Sequence, residues 1–308
     1  MSEAPLPQRL LDDSISSMRL ELLRTLGSLR GLLVIMLYVS ASALTGVFYV
    51  YVVRGLEEKA IEMVAQQGGG GMAARDMVDI TKVPAYQSMI DNYAGDDKAK
   101  AELWKNTPPI VLFSFLIALW FLPFLVMVTA HDVLARDNEL RTLRFIRPRT
   151  SMLAWVAGKF VAQTALIFLV TVLSGLVIYA IGLAKLESFN AVEGGLAFAT
   201  FWWRVLIFEI GFLGIMFVIS AACRTSFTAI IVSALVLFTL WLVQFFSYWK
   251  EGEELKPGGY LAYLSPFFHK DGLWHALDKT MWISLGAYGL FTVIGIALSI
   301  YWLQEREI

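Results

Sequence analysis

ARDNELRTLRFIRPRTSMLAWVAGK, Ala135–Lys159, carries five arginines before its proline-bearing turn is over. It sits between two apolar runs, Ile110–Ala130 and Met152–Gly182. Each run holds about 20 residues or more, the length a helix needs to cross the hydrocarbon of a bilayer. Inside lipid only a helix or a closed barrel satisfies its own backbone hydrogen bonds. A dense arginine segment between two such runs must therefore lie outside the hydrocarbon, as the connection between two membrane-spanning helices.

Four further runs have the same character: Gly31–Val53, Thr200–Cys223, Ala229–Trp249 and Trp282–Trp302. The composition agrees, with 57% hydrophobic and only 17% charged residues in 308, against about 25% charged in soluble domains. Before the first run, Leu11, Ile15, Met18, Leu22 and Leu26 recur at three- and four-residue spacing among Asp12, Arg19, Glu21 and Arg24, the pattern of an amphipathic helix. Its expected place is the membrane interface. The fold class expected is thus an all-α integral membrane protein. Six transmembrane helices follow an amphipathic interfacial helix, with a small extracytoplasmic insertion after the first span.

This divides the chain into residues 1–30, a cytoplasmic segment with a connecting helix, and 31–308, the six-span transmembrane domain. Within the latter, 54–109 is the extracytoplasmic insertion, 131–151 a cytoplasmic helical loop and 250–280 an extracytoplasmic segment. Orientation rests on the arginines of 131–151, because short loops rich in Lys and Arg stay inside. An even number of spans then leaves both termini cytoplasmic. In the insertion, RGLEEKAIEMVAQ and DDKAKAELWKN favour helix on composition. The glycine run Gly68–Gly71 has no following Lys-Ser/Thr and reads as a joint, not a phosphate-binding loop.

Chemistry-bearing constellations are sparse. A net charge of −1 without a basic block points away from a nucleic-acid partner. Cys223 is the single cysteine, and His131, His269 and His275 form no ligand pair. No nucleophile elbow, Cys/His pair or carboxylate dyad is present, so no catalytic residue is expected. Charged residues within spans carry more weight, since lipid burial of one is costly. Glu209 falls near mid-bilayer depth in the fourth span, with Arg204 closer to its outer end. Either Glu209, with Arg204, Gln163 and Gln244, belongs to a candidate polar pathway, or Glu209 is paired structurally with one of those three. Five residues on one helix correspond to about 140° of rotation, which disfavours a direct Arg204–Glu209 bridge. Ser42 and Gly46 have the small-xxx-small spacing of close helix contacts.

The loop itself has acid-to-base pairs at four-residue spacing, Asp132–Arg136 and Asp137–Arg141, which predict an ordered helix ended by Pro148. DNELRTLRFIRPRTSMLAWVAGK resembles the cytoplasmic signature of exporter-type ABC transporter permease subunits (type-2 permease, type V fold). That signature reads E-x-G-T-L, then proline, then Gly-Lys opening the next span. Glu139, Thr142, Leu143, Pro148, Gly158 and Lys159 match, and Arg141 stands where the signature has glycine. YLAYLSPFFHKDGLWHAL is similar to the L-S/N-P-F segment between the fifth and sixth spans of such permeases.

The resemblance implies a multi-pass permease of the cytoplasmic membrane whose 131–151 segment is a coupling helix. Asp137, Glu139, Leu140, Arg141, Thr142, Leu143 and Pro148 would then meet a separate ABC ATPase subunit. A second permease copy completes the unit, a homodimer in preference to a heterodimer, within membrane lipid. No Walker A sequence is present, since Gly158-Lys159 leads into Phe160 without the required Ser/Thr. The chain is therefore expected to bind no cofactor and to be no enzyme, with ATP and Mg on the partner ATPase. Two rivals remain: transmission of ATPase work to an extracytoplasmic partner without flux, and an ATPase-independent channel or ion-coupled transporter using Glu209.

Overall fold

A computed structural model describes residues 6–66, 84–95, 97–146, 150–186, 189–248, 262–274 and 278–305. Pro148, His275 and Gly68–Gly71 lie outside the described residues. Among these residues all regular structure is helical, and six helices are long and apolar enough to cross a membrane. The elements are α1 (Leu6–Leu26), α2 (Leu29–Gln66), α3 (Pro84–Ala94), α4 (Lys98–Lys105), α5 (Pro109–Ala130), α6 (Ala135–Glu139), α7 (Leu143–Ile146), α8 (Met152–Lys185), α9 (Ala191–Ala222), α10 (Ser226–Tyr248) and α11 (Lys279–Glu305). A 3-10 helix, Phe268–Trp274, precedes α11. The chain is an all-α integral membrane protein, with α2, α5, α8, α9, α10 and α11 as its spans.

Helix α9 is the hub. Of its most apolar window 67% is buried, against 6% for α2 and 22% for α10 and α11, so the peripheral helices present apolar faces outward. Between lipid-immersed helices, association comes from close packing rather than from expulsion of water, which favours small residues at crossings. The α9–α11 contact follows this rule. A Cβ on Gly295 would lie 2.6 Å from the Gly214 carbonyl carbon, and one on Gly214 would lie 2.7 Å from the Phe291 carbonyl oxygen. At the same crossing Thr292 donates to the Ile210 carbonyl at 3.3 Å. Gly46 of α2 likewise rests on Ile178 and Ile181 of α8, the close contact expected from its spacing.

The end of the spans opposite the 131–151 loop is capped by the segment resembling L-S-P-F. Ser265, Pro266 and Phe267 are buried. Tyr288 of α11 donates to the Pro266 carbonyl at 2.8 Å, and Phe267 packs on Phe208 and Phe212. Helix α4 docks there too: Trp104 meets Trp274 at 4.7 Å between ring centroids, and Lys100 pairs with Asp271 at 3.4 Å. The described part of the 54–109 insertion is thus fastened to the body of the protein.

Candidate functional site

Helix α5 ends at Ala130 with His131 as its C-cap, and the chain then returns to α8. The returning segment is not one helix. Helix α6 stops after five residues, Arg141 takes φ 53°, and α7 begins at Leu143. The amide of Thr142 donates to the Asp137 carbonyl at 3.0 Å, and that of Arg141 to the Asn138 carbonyl at 3.2 Å. These two bonds are the paired closure of a Schellman motif, whose left-handed position glycine normally fills. Arg141 occupies that position, at the place where the resembling signature has glycine. Over the described residues 135–146, the single ordered helix expected ahead of Pro148 is instead two short helices.

The expected Asp132–Arg136 and Asp137–Arg141 pairs do not form either. Asp132 accepts from Arg30 at 2.8 Å, and Arg30 also donates to His131 Nε2 at 3.0 Å. Asp137 is buried and receives the Lys159 ammonium, with Arg24 at 3.5 Å. Lys159 further pairs with Glu21 at 3.1 Å and donates to the Val133 carbonyl at 2.8 Å. A buried carboxylate needs a partner inside the protein, whereas an exposed four-residue pair adds only about 0.2–0.5 kcal/mol. At Asp137, the buried one of the two, the long-range partner therefore wins.

This network explains the Gly-Lys pair that opens α8. A Cβ at Gly158 would lie 2.7 Å from Ser17 Cβ, so the bare glycine is what lets α1 lie against α8. Ser17 donates to the Trp155 carbonyl at 3.1 Å. Lys159, next in sequence, then binds Glu21 of α1 and Asp137 of α6 together. Helix α1 meets α8 with Ser14, Ser17, Met18 and Glu21, while Leu11, Ile15, Leu23 and Leu26 stay exposed.

A second set of bonds ties the loop to the turn between α9 and α10. Ser220 Oγ accepts the Leu134 and Ala135 amides at 2.9 and 3.0 Å, capping α6. Asn138 donates to the Ala221 and Cys223 carbonyls at the end of α9, at 3.3 and 3.2 Å. Glu139 accepts from the Ser226 amide at 3.0 Å and its hydroxyl at 2.9 Å, at the N-terminus of α10. Thr142 donates to Asp137 Oδ1 at 3.1 Å. Asp137, Glu139 and Thr142 thus fasten the loop inward, while Leu140 and Phe145 stand out, 58% and 76% exposed. Phe145, Glu21, Arg24, Asn138, Lys159 and Ser220 were not among the residues expected for coupling. A lysine eight positions into an apolar run was the signal for Lys159.

The four polar residues expected in or near the spans are dispersed, and no hydrogen bond or ion pair joins any two of them among the described residues. Glu209 is 1% exposed and accepts from Thr171 at 2.7 Å, while its Oε2 has no hydrogen-bond partner there. Arg204 lies over the Phe201 and Trp203 rings, 5.4 and 5.6 Å from their centroids. Gln163 sits beside Glu21, its amide 3.5 Å from the carboxylate. Gln244 lines a cavity of about 130 Å³ with Trp120, Trp241, Phe245 and Lys270. There the Lys270 ammonium lies 5.2 Å from the Trp120 ring, and burial lowers its pKa from the usual lysine value. His269 Nε2 donates to the Tyr263 carbonyl at 2.9 Å.

A search of curated proteins returns no match. The sequence model described as ABC-2 family transporter protein matches residues 15–307. The chain belongs to that family, and is accordingly the membrane permease component of an ABC transporter and not its nucleotide-binding component.

Proposed function

We propose that the chain couples ATP hydrolysis by a separate ATPase subunit to export of a substrate, and that the ATPase docks on α6 and α7. The supporting observation is the two-sidedness of this loop. Its inner side is fixed to α1, α8, α9 and α10, while Leu140 and Phe145 project as apolar knobs, with Arg141 and Arg144 also exposed. Exposed aromatic and aliphatic anchors amid charge are the composition of an interface core with a polar rim. Displacement of such a loop is carried to four helices at once, which is how one docking event biases two states of the spans.

Two permease copies, a homodimer, pair with two ATPases in this reading. The loop and both termini face the cytoplasm, and ATP and Mg are held by the partner. A second reading sends the work to an extracytoplasmic partner without flux. The docking of α4 on the 3-10 segment favours it, because the described outer elements are joined to the spans.

The test is purification of the tagged chain in mild detergent with its ATPase, comparing wild type with Leu140→Asp and Phe145→Asp. Both variants are expected to insert and unfold at the wild-type temperature, but to lose the ATPase and the transport-linked part of its turnover. Retention of a stoichiometric ATPase by both variants overturns the docking assignment.

A further inference from the structure

Under the elbow between α1 and α2, against α5 and α8, lies a partly open cavity of about 90 Å³. Arg24, Arg30 and Arg136 line it against the carboxylates of Glu21 and Asp132. Arg30 is committed to Asp132 at 2.8 Å, and Arg24 stands at 3.5 and 3.8 Å from Asp137 and Glu21. Arg136 is exposed and has no carboxylate within ion-pairing distance among the described residues, while its charge adds to the Ser226 hydrogen bonds in lowering the pKa of nearby Glu139. The lining therefore carries one more positive group than negative. The lining also includes the apolar Val34, Ile35, Leu166 and Ile167.

Two further observations point to an occupant. Gln163 lines the cavity, is 2% exposed, and its Oε1 has no hydrogen-bond partner among the described residues. Beside the elbow, α2 exposes Leu29, Leu33, Met36 and Leu37, between 56% and 74% of each. A molecule suited to all of these features has an anionic, hydrogen-bonding head and an apolar tail. Guanidinium groups match phosphate oxygens in paired, charge-assisted hydrogen bonds, and basic pockets among spanning helices at the membrane surface select acidic headgroups.

We propose that this cavity binds the phosphodiester headgroup of an anionic phospholipid from the leaflet that holds α1. Arg136 and Arg24 face the phosphate, Gln163 accepts from a headgroup hydroxyl, and the acyl chains lie along the exposed start of α2. Bound there, the lipid braces α1 against the body beside the Lys159 network. The proposal depends neither on the ATPase nor on the direction of transport.

The experiment is native mass spectrometry of the full chain released from mixed micelles containing equal phosphatidylglycerol and phosphatidylcholine, for wild type, Arg136→Gln and Arg19→Gln. Arg19 is exposed on α1 outside the cavity lining. Wild type is expected to retain phosphatidylglycerol preferentially, and Arg136→Gln to lower that retention about five-fold, the effect of one interfacial arginine. Arg19→Gln is expected to leave it unchanged, and both variants to keep the lipid-free unfolding temperature. Equal retention of the two lipids, or an equal loss in Arg19→Gln, overturns the site in favour of general surface attraction. A separate arm adds soluble glycerol phosphate to lipid-free protein. An unfolding shift equal to that with phosphatidylglycerol overturns the lipid assignment and makes the occupant a soluble anion.

Discussion

The Lys159 ammonium lies 3.1 Å from the Glu21 carboxylate, joining the helix before the first span to the start of the third, and the same ammonium holds Asp137 of the intervening loop. All three groups are buried, between 4% and 6% exposed. Removing one member of such a set leaves uncompensated charge in a poorly solvated place. Lys159→Met is therefore expected to cost about 3–5 kcal/mol, read as a lower unfolding midpoint in detergent and as faster amide exchange along α1. A wild-type midpoint with unchanged exchange in α1 would contradict the network's role.

Gly158 tests the same junction by shape alone. Any side chain there meets the α1 backbone at Ser14 and the Ser17 side chain. Gly158→Val is expected to push α1 away at a cost of about 1–3 kcal/mol, while Lys159 and its charge remain. Loss of α1 protection in both Gly158→Val and Lys159→Met, with the other spans still protected, separates displacement of α1 from global unfolding. Protection of α1 retained in Gly158→Val would show that the helix does not need this close approach.

The six spans and the leading helix were legible because apolar run length and three-four periodicity are properties of contiguous sequence. The α1–α8 junction was only half legible. Gly158 and Lys159 stood out as a motif, but the residues that give them meaning, Ser17, Glu21 and Asp137, are far off in the chain. The acidic residues of the loop misled for a related reason. Asp132 and Asp137 have arginines four residues on, yet Arg30 of α2 and Lys159 of α8 bind them; at Asp137, burial against α1 and α8 outweighs a local exposed pair. Glu209, Arg204, Gln163 and Gln244 share a class, a polar group among spans, without sharing a place. Helix rotation, which periodicity leaves undetermined in helices that are apolar all round, decides where each points.

Arg141 holds a backbone position with φ 53°, outside the usual range for a side-chain-bearing residue. Relief of that conformation favours glycine by about 1 kcal/mol, partly offset by the greater freedom of glycine in the unfolded chain. Arg141→Gly is thus expected to slow amide exchange across 137–146 and to leave the unfolding midpoint equal or slightly higher. Faster exchange in this segment would mean that the arginine side chain, and not the turn, holds α6 and α7 in place.

Glu209 is buried among apolar residues, with one carboxyl oxygen accepting from Thr171 and the other lacking a hydrogen-bond partner among the described residues. An orphaned buried oxygen costs about 1–3 kcal/mol. Thr171 has an alternative acceptor in the Ile167 carbonyl at 2.9 Å, so removing the carboxyl does not strand its hydroxyl. Glu209→Met, which fills similar volume, is therefore expected to raise the unfolding midpoint. A group retained at a cost to stability is expected to serve activity, so the same variant should lose ATP-coupled turnover in reconstituted vesicles. A raised midpoint with normal turnover removes Glu209 from the transport pathway. A lowered midpoint would show that the carboxyl stabilises the fold and that its second oxygen is satisfied in the membrane.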